Sequence, residues 1–206
     1  MQVVTDFLKA YRGWIFGFII VVIGMNGCSS YNTLAKMNET VNSKWSQVEN
    51  VYQRRADLIP NLVEVVQGYA EHEQTTLTAV IEARAKATSV TIDASKLDAN
   101  SIRQFEEAQS GLTQALSRLM VVSEQYPNLK ANENYQQLMA ELSGTENRIS
   151  VERKTFNDVV QDYNQKVVVM PRKLWANLFG FTTRDYFKAD PASHTAPKIK
   201  MTTQKQ

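Results

Sequence analysis

Chemistry in this chain starts with few candidates. His72 stands between Glu71 and Glu73, and two carboxylates beside an imidazole are groups a divalent metal accepts. Consecutive residues on a helix point about 100° apart, so these three do not converge on one ion, and a solvated charged face is the better reading. His194 lies far away near the C-terminus. The one cysteine, Cys28, is separated from the nearest histidine by more than forty residues, which leaves it without a base to activate it as a nucleophile. No H-E-x-x-H pair, G-x-S-x-G turn or glycine-rich phosphate loop occurs. The sequence therefore implies no cofactor, no metal and no catalytic residues.

A second group of polar residues falls in or beside apolar stripes. It comprises Arg54, Arg55, Asp57 and Asn61 around Pro60, then Asn132, Glu133, Asn134, Glu146, Asn147, Arg148, Arg153, Asn157 and Asp158 further on. Facing arginine, carboxylate and amide side chains inside a helical bundle form hydrogen-bonded networks that fix register at some cost in stability. The same arginines, with Tyr52, Tyr126 and Tyr135 nearby, also have the composition of a protein-docking hot spot. Both readings stay open from sequence.

The elements that must position these residues are helices. The 206 residues carry 23 basic and 21 acidic side chains, a formal charge of +2, and 43% hydrophobic content. That balance suits one domain with a small appendage and gives no field to attract nucleic acid. Of the 8 glycines only Gly68, Gly111, Gly144 and Gly180 follow Gly27, too few turns for a sandwich or barrel. From Tyr31 onward apolar residues recur at spacings of three and four. Leu34, Met37, Val41, Trp45, Val48, Tyr52 and Ile59 form one stripe, and Leu62, Val65, Val66, Tyr69, Leu77, Val80 and Ile81 continue it past Pro60, which either kinks a long helix or begins a new one. The Thr-, Ser-, Asp- and Asn-rich stretch 86–100 reads as a connection. Ser101 with Gln104 then suggests a capping box ahead of Ile102, Phe105, Leu112, Leu116, Leu119 and Tyr126, a helix expected to run to Pro127. Asn132 is placed to cap the next, whose stripe is Tyr135, Leu138, Leu142, Ile149, Phe156, Val159 and Tyr163. A short helix near 171–178, ended by Gly180, and a disordered tail complete the chain. Long, narrow-striped helices bury their faces only against one another, so the fold class is all-α, a long antiparallel bundle with coiled-coil-like packing.

Ahead of the bundle, the 23 residues 13–35 carry no formal charge, and their apolar heart is Trp14 to Met25. Lys9 and Arg12 precede it, and the positive-inside bias keeps them in the cytoplasm and sends the chain from Lys36 outward. The apolar run of 12 is short for a span, since a bilayer core of ~30 Å takes about 20 helical residues. Two anchors fit: an uncleaved helix, or a lipoprotein signal in which Met25-Asn26-Gly27-Cys28 directs lipidation of Cys28.

Several runs carry a family resemblance: RRADLIPNLVE at 54–64, KANENYQQL at 130–138, ENRI at 146–149, FNDVVQDYN at 156–164 and NLFGF at 177–181. In order and spacing they resemble the LemA family of bacterial membrane proteins, across roughly Tyr31 to Phe187. The resemblance implies an N-terminal anchor, an antiparallel helical bundle outside the cytoplasm, no established enzymatic activity, and a connection to membrane organisation through relatives tied to magnetosome membranes. Cys28 in its lipobox-like setting departs from the family's single-span anchor. The expected organisation is an anchor or signal at 1–30, a bundle at 31–187 and a disordered tail at 188–206. The expected function is a non-enzymatic scaffold or membrane organiser at the outer face of a bacterial cell membrane. Its partner would be an unidentified envelope protein or a second copy. An uncharacterised hydrolase, or an accessory to envelope proteolysis, is the alternative. The aromatic and aliphatic residues Leu174, Trp175, Leu178, Phe179 and Phe181 are expected to seal the bundle end, with the membrane interface as the other placement.

Overall fold

The structure, a computed structural model, describes residues 2–70, 72–94 and 97–188, with the side chains of 2–10 and 12 left out. The tail from 189 and Glu71 lie outside the described residues, and with them the expectations of a disordered tail and of a complete Glu71-His72-Glu73 group. The chain is all-α: α1 Gln2–Gln67, α2 Gln74–Ser89, α3 Ala99–Ser123, the one-turn α4 Pro127–Lys130, α5 Glu133–Val168 and α6 Arg172–Phe179.

α1 is one rod of 66 residues. Side chains from Gly13 to Asn26 are exposed, and the first core residue of the bundle is Leu34. α1 as a whole is long enough, and near its N-terminus apolar enough, to be a candidate membrane-crossing helix. Pro60 neither ends α1 nor starts a new helix. It has no N–H to offer the carbonyl of Ala56 one turn back, and Arg84 of α2 supplies the missing donor, its Nε standing 2.7 Å from that oxygen. The helix break comes later, at Gly68 to Glu73, where the expected stripe ran on, and there Tyr69 turns outward.

Two further expectations shift by a few residues. The cap of α3 is Asp98, not Ser101. The Asp98 carboxylate accepts from the Ser101 backbone N–H at 2.7 Å and the Ser101 hydroxyl is returned to the Asp98 N–H at 3.2 Å, a reciprocal box with serine in the third helical position. α3 stops at Ser123 rather than Pro127, because Pro127, fixed in φ and lacking a donor, is suited to open the next turn. Asn132 caps α5 as expected, accepting from the Tyr135 N–H at 3.0 Å. Gly180 ends α6 in the left-handed conformation at φ 76°.

α1 packs along α5, α2 along α3, and α2 along α1. Trp45 of α1 meets Phe105 of α3 and Phe156 of α5, whereas Arg55 meets Gln109 and Glu146, so α3 runs with α1 and α5 runs against it. The core has two parts. One, nearer the apolar N-terminal segment of α1, is built on Leu34, Val41, Trp45, Phe105, Phe156 and Tyr163, and a distal one on Ile59, Leu62, Val66, Leu112, Leu119 and Leu129. α3 and α5 are not a packed pair, and side chains bridge the space between them.

Candidate functional site

Between the two cores lies a polar layer. At the same height each stripe goes one seven-residue step without a large buried apolar side chain: from Tyr52 to Ile59 and from Phe105 to Leu112, where only Ala56 and Ala108 are buried apolar residues, and from Leu142 to Ile149. Arg55, Gln109 and the pair Thr145 and Glu146 occupy those gaps. Arg55 is only 2% exposed. Its Nη1 donates to Glu146 Oε2 at 3.0 Å and to Thr113 Oγ1 at 3.1 Å, while Nη2 donates to Gln109 Oε1 at 2.6 Å and more weakly to the Gln109 carbonyl. The guanidinium also lies 5.1 Å from the centre of the Tyr52 ring, within cation–π range. Gln109 passes the connection on, donating to the Ala87 carbonyl at the end of α2. One arginine thus ties all four long helices at one level. Sliding α3 or α5 by one helical turn, three or four residues, would set Phe105, Leu112, Leu142 or Ile149 against the charge, which is how a buried ionic group specifies register.

A groove runs between α3 and α5 on both sides of this layer. Its apolar half, about 280 Å³, is walled by Leu116, Leu119 and Met120 on one side and Tyr135, Met139 and Leu142 on the other, with Leu62 and Arg55 as its floor. The polar half, about 660 Å³, continues past Glu106 and Arg153 to Lys188. Arg153 crosses it, donating to Glu106 at 2.5 Å. Partial burial raises the Glu106 carboxyl above its ordinary range and outweighs the downward pull of Arg153. Burial likewise raises the Tyr52 phenol against the opposing pull of Arg153 and Arg55.

The extended segment 181–188 is strapped to α5 by two asparagines. Asn157 accepts from the Phe187 N–H at 2.9 Å and donates to the Phe187 carbonyl at 3.0 Å. Asn164 does the same for Arg184, at 2.8 Å both ways. The spacings explain the match: seven helical residues rise about 10.5 Å, close to the ~10 Å of three extended ones. Each amide satisfies a full backbone donor and acceptor that would otherwise face a helix without a partner strand. The strap delivers Phe187, 5% exposed, onto Trp45, the rings stacked at 5.6 Å. Arg153 closes over Phe187 from outside at 4.6 Å.

The polar residues singled out from sequence thus divide by place. Arg55 and Glu146 meet directly, and Arg153 and Asn157 belong to the strap. Asn132 caps α5 and donates to the Tyr69 hydroxyl at 3.0 Å, joining the two distal loops. Arg54, Asp57, Asn61, Glu133, Asn134, Asn147, Arg148 and Asp158 are exposed, and Asp57 accepts from the Gln53 amide one turn back at 2.7 Å. Tyr52 and Tyr135 face the core, and Tyr126 is half-buried. Gln109, Thr113, Asn164 and Arg184 were missing from the sequence reading. The heptad gaps and the Asn157-to-Asn164 spacing inside FNDVVQDYN were the signals that could have found them. Cys28 is exposed on α1, which continues through it without a break.

A family model described as the LemA family matches residues 44–201, which contain the arginine layer, the groove and both strap asparagines. This chain belongs to the LemA family. Proteins similar to this chain include Magnetosome protein MamQ 1 of Paramagnetospirillum magneticum and Magnetosome protein MamQ of Magnetospirillum gryphiswaldense. Each is 29% identical over 186 residues, 80% of this chain and 67% of the relative. Protein LemA of Metamycoplasma hominis is 23% identical over 146 residues, 71% of this chain and 61% of that protein. None of these names is an enzyme's, and the hydrolase alternative gains no support from them.

Proposed function

We propose that this LemA-family chain is a membrane-anchored, non-enzymatic scaffold whose bundle stands on the extracytoplasmic face of a bacterial cell membrane and works by binding an envelope protein or a second copy of itself. The observation that carries the reading is the continuity of α1 from its exposed apolar segment into the bundle core. A single rod that enters the bilayer at one end and organises the helices at the other holds the bundle at a fixed height above the membrane. Lys9 and Arg12 ahead of the apolar run favour a cytoplasmic N-terminus. An uncleaved anchor is favoured over lipidation at Cys28, because cleavage there would remove Gly27, against which Trp175 packs. Relatives named as magnetosome proteins favour membrane organisation among scaffold roles. The arginine layer serves register within the bundle, since Arg55 is buried and its partners are intramolecular.

The test is photocrosslinking in living cells from full-length protein. Probes replace Met120 and Ser143 on the α3–α5 groove, or Asn61 and Glu64 on the exposed side of α1. A discrete protein adduct recovered reciprocally from one face, either another envelope protein or this chain, is the expected result. Absence of any protein adduct from both faces overturns the scaffold reading.

A further inference from the structure

α6 does not seal the bundle end by burying its apolar side chains. It buries Ala176 completely and sets Trp175 on Gly27, where an added Cβ would stand 3.0 Å from the indole. Phe179 meets Tyr31 edge-on at 5.2 Å, and Phe181 meets the same ring at 5.7 Å. What remains faces out: Leu174 at 61%, Leu178 at 70% and Phe179 at 41% exposure, preceded in the chain by the exposed Val168, Val169 and Met170. Leu174 and Leu178 are four residues apart and share a stripe. Arg172 and Lys173 begin the same helix.

The height of this patch says what covers it. Gly27 is two residues, about 3 Å along the helix, beyond Met25, where the exposed apolar run of α1 ends. That run, Trp14 to Met25, is only about 18 Å long against a bilayer core of ~30 Å, and the next turns of α1 are the polar Asn26, Cys28, Ser29 and Ser30. α6 lies against α1 at Gly27 and Tyr31, where the span falls short, and Ser30 is buried there at 7%. It extends the apolar belt by roughly 9 Å, to about 27 Å, if the six residues from Asn26 to Tyr31 count with the run.

We propose that α6 and the turn before it form an interfacial foot whose apolar stripe enters the headgroup–acyl boundary of the phospholipid bilayer that α1 crosses. Leu174, Leu178 and Met170 take acyl chains, and Arg172 and Lys173 reach the phosphates. This is the placement of an amphipathic element lying in a membrane surface, with an indole at the boundary. The proposal rests on the anchor reading of α1.

The two are separable in one experiment. Full-length protein carrying Cys28→Ser and Leu178→Cys, labelled at 178 with an environment-sensitive fluorophore, is reconstituted into phosphatidylcholine–phosphatidylglycerol vesicles with brominated acyl chains. Ser143→Cys in the same background provides a label on the bundle wall. The foot predicts co-flotation with vesicles, a blue-shifted 178 emission, and at least threefold stronger quenching at 178 than at 143. Flotation with equal, weak quenching at both positions overturns the foot and leaves the anchor standing. Protection of 178 from aqueous iodide that grows with protein density, without bromine quenching, assigns the face to a second copy and also overturns it. Failure to float overturns the anchor and the foot together. Gly27→Leu, which drives a side chain into Trp175, is expected to weaken bromine quenching at 178 while circular dichroism shows the bundle intact.

Discussion

Replacing Arg55 by alanine removes the side chain that joins α1 to both α3 and α5 in the polar layer, and its cost can be worked from the partners left behind. Four hydrogen bonds are lost, but they are unequal. The Glu146 side chain is 55% exposed and rehydrates, so its pairing is screened and adds at most about 1 kcal/mol. Thr113 also reaches water and back-bonds to Gln109 at 3.1 Å. Gln109, 7% exposed, keeps a buried acceptor without its donor, which costs about 1–3 kcal/mol. Loss of packing over Tyr52 and the resulting void add roughly 1 kcal/mol. The total is about 3 kcal/mol, or about 6–12 °C in Tm for a protein of this size. Thermal unfolding followed by helical circular dichroism in detergent measures it. Double-mutant cycles give the sharper check, with coupling of Arg55 to Gln109 exceeding coupling to Glu146, because burial and not formal charge sets the magnitude. A variant melting within about 1 °C of the parent, or a larger coupling to Glu146, would refute the reasoning.

Further expectations follow from the joints around that layer. Arg84→Ala leaves the Ala56 carbonyl unpaired at the proline and should destabilise by about 1–2 kcal/mol; the same substitution should cost less in a Pro60→Ala background, where the restored N–H reaches that oxygen, and thermal melts of the four proteins decide it. Asn164→Ala removes two hydrogen bonds to Arg184 and should speed amide exchange across 181–188 by about tenfold or more, taking about 1–2 kcal/mol as their worth. Unchanged exchange there would contradict the strap. Two carboxylates give opposite pH signs. The backbone N–H and hydroxyl of Ser101 hold Asp98 below its ordinary pKa, so its cap stabilises above the unfolded value and is lost as pH falls through the folded one. Glu106, raised by burial, favours the fold most below its unfolded value and loses that contribution as pH rises through the folded one. Unfolding curves of Asp98→Asn and Glu106→Gln across acid pH should each lack the corresponding slope.

Much of this architecture is legible in the residues, for physical reasons that also mark where legibility ends. Narrow apolar stripes admit few packings, so an all-α bundle with its cap at Asn132 and its stop at Gly180 reads directly. The Asp98 cap was displaced by three residues because serine serves either end of a capping box. Arg55 and its neighbour Arg54 look equivalent by type, and only the stripe separates them: Arg55 stands on the Tyr52–Ile59 face and is buried, while Arg54 points to water. The strap could not be read from apolar periodicity, since two asparagines seven residues apart hold it and no repeating apolar pattern marks the extended segment. What carried its position was the asparagine spacing, visible only once helical and extended rises are set side by side. The pairing of Pro60 with Arg84 is a contact between helices and left no trace along the chain.

The most direct measurement of the central claim is protease digestion of spheroplasts expressing the full-length protein, combined with carbonate extraction of their membranes. The account predicts that the protein stays in carbonate-washed membranes with its Met1 peptide intact, and that protease added outside degrades the bundle while a cytoplasmic marker survives. Release by carbonate, or a bundle digested only after the spheroplasts are lysed, would contradict it.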